Sequence, residues 1–364
     1  MASIQGGPRT SDDLQSNDAY FQMVQSKKKL PRSLQESLTG SFARIPVSSF
    51  PHVPGGKVIE IPADTLIVDA VKILSDSNIL SAPVTNPAFA DDTDWKKRYL
   101  GILDYSAIIL WVLANTECAA ADVLSQEPCK STTVMSILKT YRWAPFVPVS
   151  PDSSMLSVML LLSKYRLRNV PLIEQGNGSI QNYITQSAVV TGLHRCKGRD
   201  WFDYISACHL SDLGLPFMSP DQLVTVQDSD LILEAFKQMK DKQIGGLPVI
   251  ESGTKKIQSS ISVRDVQYLL YNTELSPKFR ELTVKDFISS IGSDKLKTCK
   301  PDSTLGDVIE ALASMAVHRI YVVGDDEVLV GVITLRDVIS CFINEPAKFF
   351  ENFFGFGGQE GLNR

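Results

Sequence analysis

Asp265 and Asp337 each stand three places after a hydroxyl residue, Ser262 and Thr334, in the related stretches SVRDV and TLRDV. An ionised carboxylate only accepts hydrogen bonds, and its two oxygens suit a cis-diol. The plainer reading is a negative charge in the first turn of a helix, where the helix dipole favours it. A second set of residues is cationic. His318-Arg319 precedes the apolar run Ile320–Val323, and Arg168 stands just before the run VPLI. Like charges drawn together are unfavourable unless an anion joins them. A guanidinium can grip phosphate with two parallel hydrogen bonds. The plainer alternative is an arginine that lays its stem along a strand edge.

These residues must be positioned by repeated elements. Four Pro/Asp/Ser/Thr clusters, PADT at 62, PDSS at 151, QDSD at 227 and PDST at 301, can each cap a helix start. The helical stretches that follow, VDAVKIL, LSVMLLL, LEAFKQM and DVIEALASM, carry apolar residues at helical spacing. Next come short strands (APVTN, VPLIEQ, LPVIES, IYVVGD), then second strands (YLGILD, QNYITQ, QSSISV, LVGVIT). Closing helices are expected near Ser106, Ala188, Asp265 and Asp337. Each unit is thus a βαββα piece that would be marginal alone. Back-to-back pairing gives two pairs, roughly 42–195 and 218–345, with a join near Gly198–Pro216, where Gly, His and Pro break the periodicity.

Aligning the units on their first strands sets His318 beside Gly245, Arg168 and Leu80, and Arg319 beside Gly246, Asn169 and Ser81. Thr334 falls with Ser262, Thr185 and Asp104. Asp337 falls with Asp265, Ala188 and Ala107, so only the last two units keep the carboxylate. Arg168, His318 and Arg319, with Lys242 nearby, form a candidate cationic patch. Gly245-Gly246 can admit a close backbone approach or simply a tight turn into the strand.

The repeat plan and the terminal GVITLRDV resemble cystathionine-beta-synthase (CBS) domains. Four in a row, with VHRIYVV in the last, resemble the gamma regulatory subunit of kinases of the AMP-activated and sucrose-non-fermenting type. RWAPF, LLSKYRL, YITQSAV, IGGLPVIE and EPAKFFENFF look like the plant branch. The resemblance spans about residues 35 to 355. It implies an α/β fold of four CBS repeats arranged as two tandem Bateman modules with pseudo-twofold symmetry. The expected boundaries are 35–116, 130–197, 216–275 and 283–345, with a disordered N-terminal tail, 1–34, and a C-terminal tail, 346–364.

The resemblance also implies AMP, ADP or ATP as ligand, and kinase catalytic (alpha) and beta subunits as partners. Asp265 and Asp337 would hold ribose, with Ser262 and Thr334 beside them. Arg168, His318, Arg319 and Lys242 would reach phosphates. Met218-Ser219 resembles the Met-Ser/Thr that contributes to an adenosine pocket, although Ser219 also suits a turn. A free-standing adenosyl-ligand sensor and a nucleotide-independent scaffold are the alternatives.

Composition narrows the classes. The 364 residues are 44% hydrophobic with net charge −5, and mean hydropathy is near zero. This argues against nucleic acid or a membrane as main partner. The run Ala107–Ala114 is too short to span a bilayer. Six scattered cysteines without a CxxC pair suit free thiols in the cytoplasm, with the nucleus as a second compartment. Lys27-Lys28-Lys29 reads as a nuclear signal or as solvated charge. No Walker loop, GxGxxG, kinase signature or HExxH is present, so no catalysis, cofactor or metal is expected. Phe42, Ile45, Val47 and Phe50 in SFARIPVSSF form an apolar segment that could add a strand to a partner's sheet, or serve as the first strand of the first unit.

Overall fold

A computed structural model describes residues 11–116, 131–141, 144–174, 176–271, 280–292, 296–347 and 349. Four strand hairpins recur. They are Ser81–Thr85 with Tyr99–Asp104, Asn169–Ile173 with Ile180–Thr185, Gly246–Ile250 with Ile257–Ser262, and Arg319–Val323 with Leu329–Thr334. All four are antiparallel, and each carries a bulge before the last residue of its first strand. Units 1, 3 and 4 add a short parallel strand, Ile61–Pro62, Val226–Gln227 and Thr298–Cys299. In unit 2 a single parallel bridge, Val149 to Leu172, takes that place.

The four units close into a ring. Sheet faces join unit 1 to unit 2 around Tyr99, Ile173 and Ile180. They join unit 3 to unit 4 around Ile257, Tyr321, Val323 and Leu329. The larger cores run the other way. One joins units 1 and 3 through residues such as Ile108, Val112, Phe236 and Val266. The other joins units 2 and 4 through residues such as Leu160, Val190, Ile309 and Ile339. The cause is visible in the helices. Met155–Ser163 and Leu335–Phe342 are buried all round. A helix buried on every side needs a neighbour beyond its own sheet.

Three expectations need correction. The stretch 1–34 is not a free tail over its described part: Ser11–Lys27 and Arg32–Arg44 are helices. Phe21 (1% exposed) and Val24 (0%) are inserted in the core of units 2 and 4, which helps to hold the otherwise polar segment in place. Lys28 is buried rather than solvated. Its ammonium donates to the carbonyls of Ser340 (3.2 Å) and Ile343 (2.7 Å) and to Asn344 Oδ1 (2.6 Å), at the C-terminal end of Leu335–Phe342. SFARIPVSSF is not an open strand. It ends a helix and makes a tight turn, Val47–Ser49; Val47 is buried, and Phe42 and Phe50 pack on the core.

The join near Gly198–Pro216 carries packed elements of its own. Asp200–Ser206 and Leu210–Leu213 are helices whose Phe202, Ile205, Leu210 and Leu213 are buried. The expected tail 346–364 lies outside the described residues except Pro346, Ala347 and Phe349, and so do the expected unit boundaries at 130 and 275. Among the described residues no helix is long and apolar enough to cross a membrane, and no cluster of metal-ligating side chains occurs.

Candidate functional site

One backbone device recurs at the head of every hairpin. Asn78, Arg166, Gln243 and Ala316 all take left-handed conformations, with φ of 54°, 55°, 53° and 51°. None is glycine, so each position carries strain that the surrounding fold must hold. Two residues later the chain delivers Leu80-Ser81, Arg168-Asn169, Gly245-Gly246 or His318-Arg319 at the start of the hairpin. The second member of each pair lies across the ladder from the residue that opens the closing helix. The pairs are Ser81 with Asp104, Asn169 with Thr185, Gly246 with Ser262, and Arg319 with Thr334.

The carboxylates are held by reciprocal caps. Asp337 Oδ2 accepts from the Thr334 N–H (2.8 Å) and hydroxyl (2.7 Å). Asp265 Oδ2 accepts from the Ser262 N–H (2.7 Å) and hydroxyl (2.8 Å). They are 4% and 2% exposed. Each is therefore a helix-start charge and a buried acceptor at once. In unit 1, Asp104 caps directly, accepting the Ala107 N–H at 2.9 Å. In unit 2, Thr185 accepts the Ala188 N–H at 3.1 Å.

The cations converge. Arg168 Nη1 donates to Asp104 Oδ2 (3.2 Å) and Ser106 Oγ (2.9 Å). Arg319 Nη1 donates to the Gly246 carbonyl. A Cβ on Gly245 would lie 3.2 Å from Arg319 Nη2 and 3.7 Å from Arg168 Nη2. Guanidiniums from units 2 and 4 therefore flank one glycine of unit 3. A Cβ on Gly246 would lie 2.6 Å from both Arg319 Nη1 and the Ile261 carbonyl oxygen, so no side chain fits there. The glycine pair is explained by this close approach.

A third guanidinium, Arg166, sits beside them. Burial pushes its pKa below the ordinary range, and Arg168 adds a like-charge push; Tyr20 and Asp337 oppose both. A recess between units 1 and 2 is lined by Asp104, Arg166, Arg168 and Asn169 with Ala144 and Pro145.

The remaining candidates are placed differently. His318 is half-buried, and its carbonyl accepts the Leu335 N–H at 3.2 Å. Ser219 serves a turn, with its N–H and hydroxyl both donated to Gln222 Oε1. Lys242 is exposed at the end of helix Ile232–Asp241, and no hydrogen bond or ion pair among the described residues ties it to either arginine. Tyr20 enters the site without any signal in the sequence reading. Its hydroxyl donates to Asp337 Oδ1 at 2.7 Å, and the Arg336 guanidinium lies 4.2 Å from its ring centroid.

The CBS domain family matches residues 210–272 and 284–344. Over 96% of its length the chain is 51% identical to an Arabidopsis thaliana protein named SNF1-related protein kinase regulatory subunit gamma-1-like, of which 96% is covered. The chain belongs to the gamma regulatory subunits of SNF1-related protein kinases. Another Arabidopsis gamma subunit, SNF1-related protein kinase regulatory subunit gamma-1, is 36% identical over 90% of this chain and 88% of its own. The fold is shared with a crystal structure from Methanocaldococcus jannaschii, proposed there as an archaeal homolog of g-AMPK. It shows 15% identity and a TM-score of 0.62, and the match covers 80% of this chain and 100% of that one. As a gamma subunit the chain is a non-catalytic CBS-domain regulator of a kinase, in agreement with the missing catalytic signatures.

Proposed function

We propose that this gamma subunit binds an adenine nucleotide at the centre of the ring and conveys its occupancy to a kinase catalytic (alpha) subunit and a beta subunit. The observation that carries the reading is the meeting of Arg319 and Arg168 at Gly245-Gly246. Gly246 lies across the ladder from Ser262, whose hydroxyl holds Asp265. An acceptor for ribose hydroxyls and two donors for phosphate are thus gathered about the glycine pair from three different units. AMP, ADP and ATP would differ in how many phosphate oxygens reach those guanidiniums. A nucleotide can bias the complex only by its differential affinity for two states, and a site built across three units would feel their relative placement. The free thiols of Cys196, Cys208, Cys299 and Cys341 are in keeping with the cytoplasm and the nucleus as compartments.

The nucleotide-independent scaffold has one observation in its favour. Arg168 already pairs with Asp104, and Arg319 with a carbonyl. Calorimetry with AMP and adenosine decides between the two readings. AMP should bind more tightly than adenosine, and Asp265→Asn should weaken AMP binding about a hundredfold. No heat with either ligand would leave the scaffold. Co-purification of tagged chain with catalytic and beta subunits tests the partner assignment.

A further inference from the structure

The N-terminal helix reaches the fourth unit's carboxylate before any ligand can. Asp337 is buried, and two donors from Thr334 occupy one of its oxygens. A buried carboxylate oxygen without a donor is costly. The other oxygen receives the Tyr20 hydroxyl at 2.7 Å. The ring of Tyr20 lies under the Arg336 guanidinium, 4.2 Å from centroid to Cζ. Phe21, the next residue, and Val24, one turn on, are inserted between units 2 and 4. Lys27 Nζ donates to the Phe217 carbonyl at 2.6 Å, and Lys28 ties the following segment to the end of the helix that Asp337 begins.

We infer that helix Ser11–Lys27 is a built-in competitor of the fourth cleft: the Tyr20 hydroxyl stands where a ribose hydroxyl would donate to Asp337. The inference rests on the nucleotide reading above and adds to it a segment of the chain that occupies the TLRDV carboxylate. Unit 4 opens only when the helix leaves. Burial, then the neighbouring Asp337 charge, holds the phenol above its ordinary pKa, so it stays protonated and remains a donor. Ligand and helix then exclude each other. The affinity of the cleft is reduced by the fraction of time the helix is seated, and a ligand that binds there must in turn unseat the helix.

AMP titrations of the full chain in an Asp265→Asn background, where unit 3 is weakened, test this. Adding Tyr20→Ala should tighten the residual AMP binding at least tenfold, and adding Asp337→Asn should remove the gain. Tyr20→Phe keeps the ring over Arg336 but lacks the donor, and should show a smaller gain with the same dependence on Asp337. Hydrogen exchange of residues 19–27 in the otherwise natural chain gives a second readout. Saturating AMP should raise it, and Tyr20→Phe should raise it without ligand. If folded Tyr20→Ala and Tyr20→Phe chains bind AMP no better than their background, the competitor role is overturned. Exchange that AMP leaves unchanged while the fourth cleft fills has the same consequence. Should the otherwise natural chain bind AMP through Asp265 while the Tyr20 variants gain nothing, only this inference falls. Absence of AMP binding in every variant removes the nucleotide reading as well.

Discussion

Units 3 and 4 carry almost the same words, SVRDV and TLRDV, and fold them the same way. Ser262 and Asp265 repeat the cap of Thr334 and Asp337 atom for atom. Even the intervening arginines play parallel parts. Arg264 donates to Asn78 of unit 1 at 2.6 Å, and Arg336 donates to the Ser163 carbonyl of unit 2. The clefts nevertheless differ in what arrives from outside. Unit 3 receives a guanidinium, Arg319, across its glycine pair. Unit 4 receives a phenol, Tyr20, on its carboxylate. Local sequence sets the acceptor, and a distant segment sets what the acceptor meets.

The largest expected effect separates the two carboxylates. Asp265→Ala should cost AMP about 3 kcal/mol, somewhat over a hundredfold, through two charged hydrogen bonds. Asp337→Ala should change it little while Tyr20 is present. Equal losses by calorimetry would erase the contrast between the clefts.

The second prediction concerns Lys28, which anchors only the unit 4 side. Burial lowers its ammonium to about 8 from the ordinary 10.5. Between those values the unfolded chain binds a proton that the folded chain has released, so stability rises with pH. The gain should approach about 3 kcal/mol across that window. Buried thiols such as Cys341, pushed up to about 12, work in the opposite direction. Urea denaturation of the natural chain and of Lys28→Met, compared at pH 8 and pH 10, should therefore show the rise only as a difference between the two. Parallel pH profiles would mean that the ammonium is solvated.

Arg319→Ala sharpens the unit 3 side. It should weaken AMP by roughly 1.5–3 kcal/mol and leave adenosine unchanged. Part of the loss should be masked at high salt. An unchanged ratio of AMP to adenosine affinity, with a lower melting temperature, would make Arg319 a packing residue only.

The smallest effect tests whether the turns at the heads of the two units are truly alike. Ala316 and Gln243 share a left-handed φ. Replacing either by glycine should stabilise by about 0.5–1 kcal/mol, relief of strain less the entropy of glycine. Asn78→Gly should gain less, because asparagine tolerates that conformation. A loss at Ala316 alone would show that the two turns are strained differently.

Much of this was readable from sequence for a definite reason. Strand alternation and cap residues act over a few positions, so the repeat, the hairpins and the equivalence of Arg319, Gly246, Asn169 and Ser81 all emerge from pattern. The ladder pairings then fall at the same register in every unit. Tyr20 was not readable. Its helix is polar along most of its length, and only the spacing of Phe21 and Val24 hints at a buried face. Arg166 was hidden because its aim depends on a left-handed backbone that nothing in KYRLR announces. The crossing of the large cores was hidden for a third reason. An all-apolar stretch such as MLSVMLLLS says that it must be covered, and leaves open by which unit.

The ring order has a consequence for the chain as a covalent object. Units adjacent in sequence share the small sheet contacts, whereas the two large cores each draw from both halves of the chain. Cutting the backbone between His194 and Asp200 would therefore sever the chain without dividing either core. The two fragments should stay together as a nicked whole, and each alone should expose half of both cores and aggregate or seek its complement. The order of the repeats along the chain and the grouping of their cores thus run along perpendicular lines.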